Sequence, residues 1–151
     1  MEFDATAMAD RGEVTLRRVY DASPEELFSA MTDAAALERF WGPVGMTCPS
    51  ERTIVERRVG GTFSTTMVND ESGEEHLFSG VFTRFDPPLT LGWIEPGIEM
   101  ETTVTFRDLD GGRTEASIVQ ENVPLPFRSP EALAGFESSL QRLADHLADP
   151  R

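Results

Sequence analysis

From Glu13 to Tyr20, β-branched and apolar residues alternate with polar ones, the two-residue period of a half-buried strand. Asp21 ends this run, and Ser23-Pro24-Glu25-Glu26 then reads as a helix start. The serine caps free amides, proline suits the first helical position, and the glutamates face the positive end of the helix dipole. Leu27, Phe28 and Met31 supply the apolar side. A second short helix is predicted after Thr32-Asp33, from Ala34 to Phe40, with Leu37, Phe40 and Trp41 near helical spacing and Gly42-Pro43 as its stop.

From Cys48 to about Phe106 the period returns to two, cut by turn-forming clusters at Gly60-Gly61, Asn69 to Gly73, Asp86-Pro87-Pro88 and Glu95-Pro96-Gly97. Sequential hairpins are expected, with strands at Arg52–Arg58, Thr62–Val68, Glu75–Phe85, Leu89–Glu95 and Glu99–Leu109, and a turn at Asp110-Gly111-Gly112 into Arg113–Glu121. Past Pro126, apolar residues step by three or four: Leu133, Phe136, Leu140, Leu143, Ala144, Leu147. Ser129-Pro130-Glu131 opens that helix, predicted from Pro130 to Leu147. The order predicts an α+β domain, a curved antiparallel sheet of about seven strands covered by one long C-terminal helix. Residues 1–12 read as a flexible N-terminal leader and 13–151 as a single domain.

Composition narrows the function. The chain has 151 residues, 27 of them acidic, and all 13 of its basic residues are arginine, for a net charge of −14. Without lysine there is no Schiff base and no phosphate-binding lysine of a P-loop. The negative charge is spread along both halves of the sequence, which disfavours nucleic acid and anionic membranes as partners. Cys48 is the single cysteine and only His76 and His146 accompany it, so no disulfide and no zinc site are expected. No signal peptide or membrane span is apparent, and a cytoplasmic location is expected.

A bent sheet closed by one helix does not pack flat, so a cavity between them is expected. Ten phenylalanines, two tryptophans and six methionines against one tyrosine make an apolar lining. Val19 to Phe28, Met31-Thr32-Asp33 and Phe40-Trp41-Gly42-Pro43-Val44-Gly45-Met46-Thr47 resemble the opening of the SRPBCC (START-like, Bet v-like) superfamily. The closer resemblance is to its bacterial branch named for homology to the activator of Hsp90 ATPase. Val59-Gly60-Gly61-Thr62-Phe63 with Met67, Phe78 to Phe82, Phe85 to Leu91, Thr103 to Phe106 and Gly135-Phe136 continue the likeness from Glu13 to Leu147. In place of the family's usual tryptophan after the helix glycine stands Phe136. The resemblance implies a helix-grip fold with a deep pocket, binding of hydrophobic molecules in many members, cyclase or hydrolase activity in a few, and no shared catalytic motif.

The site residues expected from this are Phe63, Met67, Phe82, Trp93 and Met100 from the sheet and Phe136 and Leu140 from the helix, with Trp41 and Met46 near the mouth. Trp41-Gly42-Pro43 reads either as a gate or as a helix stop plugged by an aromatic ring. One of Arg57, Arg58 or Arg84 is a candidate to hold a polar ligand group. Cys48 reads as an inert buried thiol, His76 as a solvent-facing hairpin residue and His146 as a structural residue on the polar helix face. Glu99 and Glu101, at period two, are expected to face solvent together. No nucleophile with a base, and no cofactor, is implied. The leading expectation is non-catalytic binding of a hydrophobic or amphipathic molecule by a monomer or weak homodimer. The alternatives are an Hsp90-type chaperone partner and a polyketide cyclase or hydrolase in which His76 or an arginine polarises a carbonyl.

Overall fold

A computed structural model of the chain describes residues 2–4 and 12–148. Its centre is an antiparallel sheet in the order β1-β2-β9-β8-β7-β6-β5-β3, with β4 also beside β5. The strands are β1 Glu2–Asp4, β2 Val14–Tyr20, β3 Met46–Thr47, β4 Ile54–Val55, β5 Thr62–Asn69, β6 Glu75–Asp86, β7 Thr90–Glu95, β8 Met100–Asp110 and β9 Arg113–Glu121. Among the described residues the α-helices are α1 Pro24–Met31, α2 Ala34–Phe40 and α3 Pro130–Ala148. This is the α+β, helix-grip arrangement, a curved sheet wrapped on a long C-terminal helix with two short helices after the first long strand.

The helix starts follow from local chemistry. Ser23 and Glu26 form a reciprocal capping box at α1, and the Asp33 carboxylate accepts from the Ala36 amide at α2. At α3 the Ser129 hydroxyl accepts from the Ala132 amide while Pro130 takes the first turn. The inner face of the sheet buries Leu16, Phe63, Phe82, Leu91, Trp93, Val104, Phe106 and Ile118 in one core with Leu27, Phe28, Leu37 and Phe40 of α1 and α2. Tyr20 reaches out of this core to donate its hydroxyl to the Leu140 carbonyl at 3.3 Å, pinning α3 to β2. Burial pushes the Tyr20 phenol well above its ordinary range.

Three strand expectations need correction. The run Arg52–Arg58 is a strand only at Ile54–Val55, because a 3-10 turn occupies Ser50–Arg52 and the Arg58 amide donates to the Glu56 carbonyl at the start of the Gly60-Gly61 turn. Glu2–Asp4 falls in the expected leader, yet pairs with Thr15, Leu16 and Arg17 of β2; such pairing depends on a distant strand and leaves no local period. Residues 5–11 lie outside the described ones. Glu99 stands in the turn before β8 with φ of 58°, so it does not share a strand face with Glu101.

Candidate ligand cavity

Helices α1 and α2 fill one end of the concave face, and α3 stands off the sheet at the other. Between them lies a cavity of about 390 Å³. Its floor is set by strand register. Trp93 of β7, Thr102 of β8 and Gln120 of β9 lie directly opposite one another in one row, and Glu95 pairs with Met100 in the next. Because side chains alternate between faces, Trp93 and Glu95 share the inner side with Met100, Thr102 and Val104 and with Ile118 and Gln120. The roof comes from Leu133, Phe136, Leu140 and Leu143 of α3, which recur at helical spacing.

One end of the cavity is walled by aromatic rings. Trp41, the C-cap of α2, sits edge-on to Phe78 at 5.7 Å and to Trp93 at 5.8 Å between centroids. Gly80 lies under this cluster, and a β-carbon there would meet the Phe78 ring at 3.2 Å and Trp93 at 3.4 Å. A glycine at that point lets the rings lie on the sheet.

The mouth is the segment after α2. Gly42 has φ of 93° and packs on the Met67 side chain, which closes the wall behind it. Arg142 of α3 reaches across and places Nη1 at 2.9, 3.0 and 3.1 Å from the carbonyl oxygens of Gly42, Pro43 and Met46. Ser138 Oγ accepts from the Val44 amide, and Ser139 Oγ donates to the Phe40 carbonyl. The mouth is thus held to the last helix by five polar contacts made by Ser138, Ser139 and Arg142 of α3.

Two carboxylates are the charged groups of the wall, Glu95 and the more exposed Glu131 in the first turn of α3. Desolvation raises the Glu95 carboxyl from 4.5 to about 6. Gln120 donates toward Thr102 Oγ1 at a long 3.5 Å. Glu95, Thr102 and Gln120 therefore form a polar patch in an otherwise apolar chamber.

With this geometry in hand, the sequence was compared with known proteins. The profile of the family described as activator of Hsp90 ATPase homolog 1-like protein matches residues 21–148. The chain belongs to this family. Among solved structures, a protein of Chromobacterium violaceum is 30% identical, with 88% of this chain and 95% of that one covered at a TM-score of 0.78. An AHSA1 protein of Silicibacter pomeroyi is 26% identical, covering 92% and 99% at 0.76. An Arthrobacter aurescens protein, 18% identical, shares the fold at 0.84 over 99% and 92% of the two chains. No curated protein matches.

Against this AHSA1-like frame the sequence-expected residues divide. Trp41, Met67, Trp93, Met100, Phe136 and Leu140 stand on the cavity wall. Phe63 and Phe82 do not; they stack at 5.2 Å in the fully buried core beneath Trp93, where α1 and α2 cover the sheet. Met46 contributes its carbonyl to Arg142 and not its side chain to the wall. Arg57 and Arg58 lie exposed in the loop after the truncated β4, Arg58 3.7 Å from Glu56. Arg84 is turned outward by a bulge: Phe82 pairs with Trp93 but Arg84 with Gly92, so the extra residue Thr83 brings Phe85 inward in its place.

Other candidates settle by burial. Cys48 is fully buried, its thiol directed at the Trp41 carbonyl and pushed to higher pKa by desolvation. His76 is exposed beside Glu74 at 3.6 Å. His146 is not on a wet face. It is half-buried and stacked at 6.3 Å on Phe40, and burial lowers its pKa, with Arg39 adding to that effect and Asp33 opposing it. Glu95, Gln120 and Arg142 went unnoticed in the sequence, since Glu95 opens a turn cluster and the other two look like surface polar residues.

Proposed function

We propose that the chain binds one hydrophobic or amphipathic small molecule, of lipid, polyketide or aromatic type, in the cavity under α3. The observation that carries this reading is the 390 Å³ chamber with an overwhelmingly apolar wall, inside the size range of small-molecule sites. Binding works by burial: each 100 Å² of apolar ligand surface removed from water contributes about 2.5 kcal/mol before ordering costs. On the wall, the Ser139 hydroxyl donates to the main-chain carbonyl of Phe40. Among the described residues no group of three or more His, Cys, Asp or Glu is placed to hold a metal. No described helix is long and apolar enough to cross a membrane.

Both tryptophans of the chain, Trp41 and Trp93, lie on the wall, so their emission reports occupancy directly. Titration with fatty acids, aromatic polyketides and flavonoids, read by tryptophan emission and native mass spectrometry, is expected to give a one-to-one complex and a higher Tm. If none of these alters emission or forms a complex, the proposal is wrong. The family match favours a second reading, an Hsp90-type chaperone as partner. Stimulation of a bacterial Hsp90 ATPase by the purified chain tests that reading, and no stimulation at saturating protein removes it.

A further inference from the structure

The polar end of the cavity restricts which head group a bound molecule carries, an inference that rests on the small-molecule reading above. The wall contains Glu95 and Glu131 and neither arginine nor histidine. The sheet neighbours of Glu95 on the wall are uncharged, Met100 and Thr102 from β8 and Gln120 from β9, and the other carboxylate of the wall, Glu131, belongs to α3. Glu101 and Glu121 pair with each other in the row of Ile94, on the opposite face, and Glu99 is exposed in the adjoining turn. Glu95 has therefore given up part of its hydration without an opposite charge to replace it, which is the state a cationic partner relieves. Thr102 and Gln120 add oxygen acceptors one row away, and the rings of Trp41, Phe78 and Trp93 favour a cation over an anion.

We propose that the ligand is an amphiphile with a protonated amine head seated against Glu95, its apolar body lying under Phe136 and Leu140, and that carboxylate-headed molecules of the same size bind more weakly. A carboxylate head at the same place would face the like charge of Glu95 and meet no cation on the wall.

The test uses the full chain and three matched probes, decylamine, decanol and decanoate, titrated below their aggregation concentrations at pH 7.5 in 150 mM salt, with tryptophan emission as readout. Decylamine is expected to bind at least about tenfold more tightly than decanoate, with decanol between them. Glu95→Gln is expected to bring decylamine down to the affinity of decanol. Glu71→Gln, in the exposed β5–β6 turn, is expected to leave the ranking intact, which separates a local contact from attraction to the overall charge of −14. In the wild-type chain, lowering the pH from 7.5 to 5 protonates Glu95 and is expected to erase most of the preference for decylamine over decanol, neither of which changes charge in this range, a result that does not depend on the variant folding. If decanol binds but decylamine and decanoate are indistinguishable, or if Glu71→Gln abolishes the preference as fully as Glu95→Gln, the head-group inference is overturned and the cavity reading survives. If none of the three binds, the head-group inference is overturned, and the polyketide and flavonoid titrations above decide the cavity reading.

Discussion

Replacing Arg142 by methionine keeps the apolar stem on α3 and deletes the guanidinium that ties three mouth carbonyls to the helix. Nη1 carries two protons, so three short distances represent at most two full hydrogen bonds. Bonds to a charged donor contribute about 1.5–3 kcal/mol each. Arg142 is half-buried and water can reach carbonyls at a mouth, so about 2 kcal/mol in all is a reasonable net loss. For a chain of 151 residues this lowers Tm by about 4–8 °C. Urea unfolding should show the loss as a lower midpoint at unchanged slope. Amide exchange should show it locally, at Met46, whose amide donates to the Pro43 carbonyl, and at Asp70, which donates to the Gly45 carbonyl. Arg142→Lys should recover only part, since an ammonium cannot span the spread of acceptors that a planar guanidinium covers. Unchanged midpoint and unchanged exchange in Arg142→Met would refute the assignment of Arg142 as the tie across the mouth.

Further outcomes follow from other residues. Glu95 titrates near 6 in the fold and at 4.5 when unfolded, so between these pH values the folded chain holds a proton the unfolded chain has lost and stability falls as pH rises. The full effect is about 2 kcal/mol, cut to roughly 1 by partial solvent access; Glu95→Gln should match wild type near pH 4.5 and exceed it by that amount at pH 7.5 in paired urea titrations, and a pH-independent difference would sink the argument. Gly42→Ala puts a β-carbon on a residue with φ of 93° and against the Met67 methyl at 2.9 Å. It should cost about 1–2 kcal/mol in urea unfolding, mostly from the backbone, because the methionine tip can shift. Glu101 lies opposite Glu121 across β8 and β9, so Glu101→Arg replaces a repulsion by an ion pair; a gain of about 0.5–1 kcal/mol is expected by thermal unfolding at low salt, shrinking in 1 M salt.

How far such features could be read beforehand depends on the range over which their causes act. Ser23, Asp33 and Ser129 announce their helices because a cap and the amides it serves lie within one turn. Period two in Met100 to Phe106 and in Thr114 to Gln120 announces strands and even their inner faces. Arg84 shows where this fails: a single inserted residue in β6 reverses the face of everything after it, and the cause is the register with β7, invisible within β6 itself. The same holds for the wall. Trp93 and Met100 follow from alternation, whereas separating Phe63 and Phe82 from the chamber requires knowing which end of the sheet α1 and α2 cover. Glu95 and Arg142 acquire meaning only from partners brought near by the closure of α3, and a chain read in order has no sign of it.

The strand order has one further implication, for how the protein comes to be folded. From β5 to β9 every strand pairs with its neighbour in sequence, and such hairpins form through short loops. The long-range pairing is that of β2, joining β9 with Val14 opposite Gln120, a contact between residues about 100 positions apart. The same β2 carries Tyr20, whose hydroxyl seats α3 at Leu140. Docking of the first long strand and seating of the last helix are therefore coupled in one non-local step, and the chamber comes into existence only when that step closes. The meander is a local assembly; the vessel it lines is a late one, completed by the meeting of the two ends of the chain.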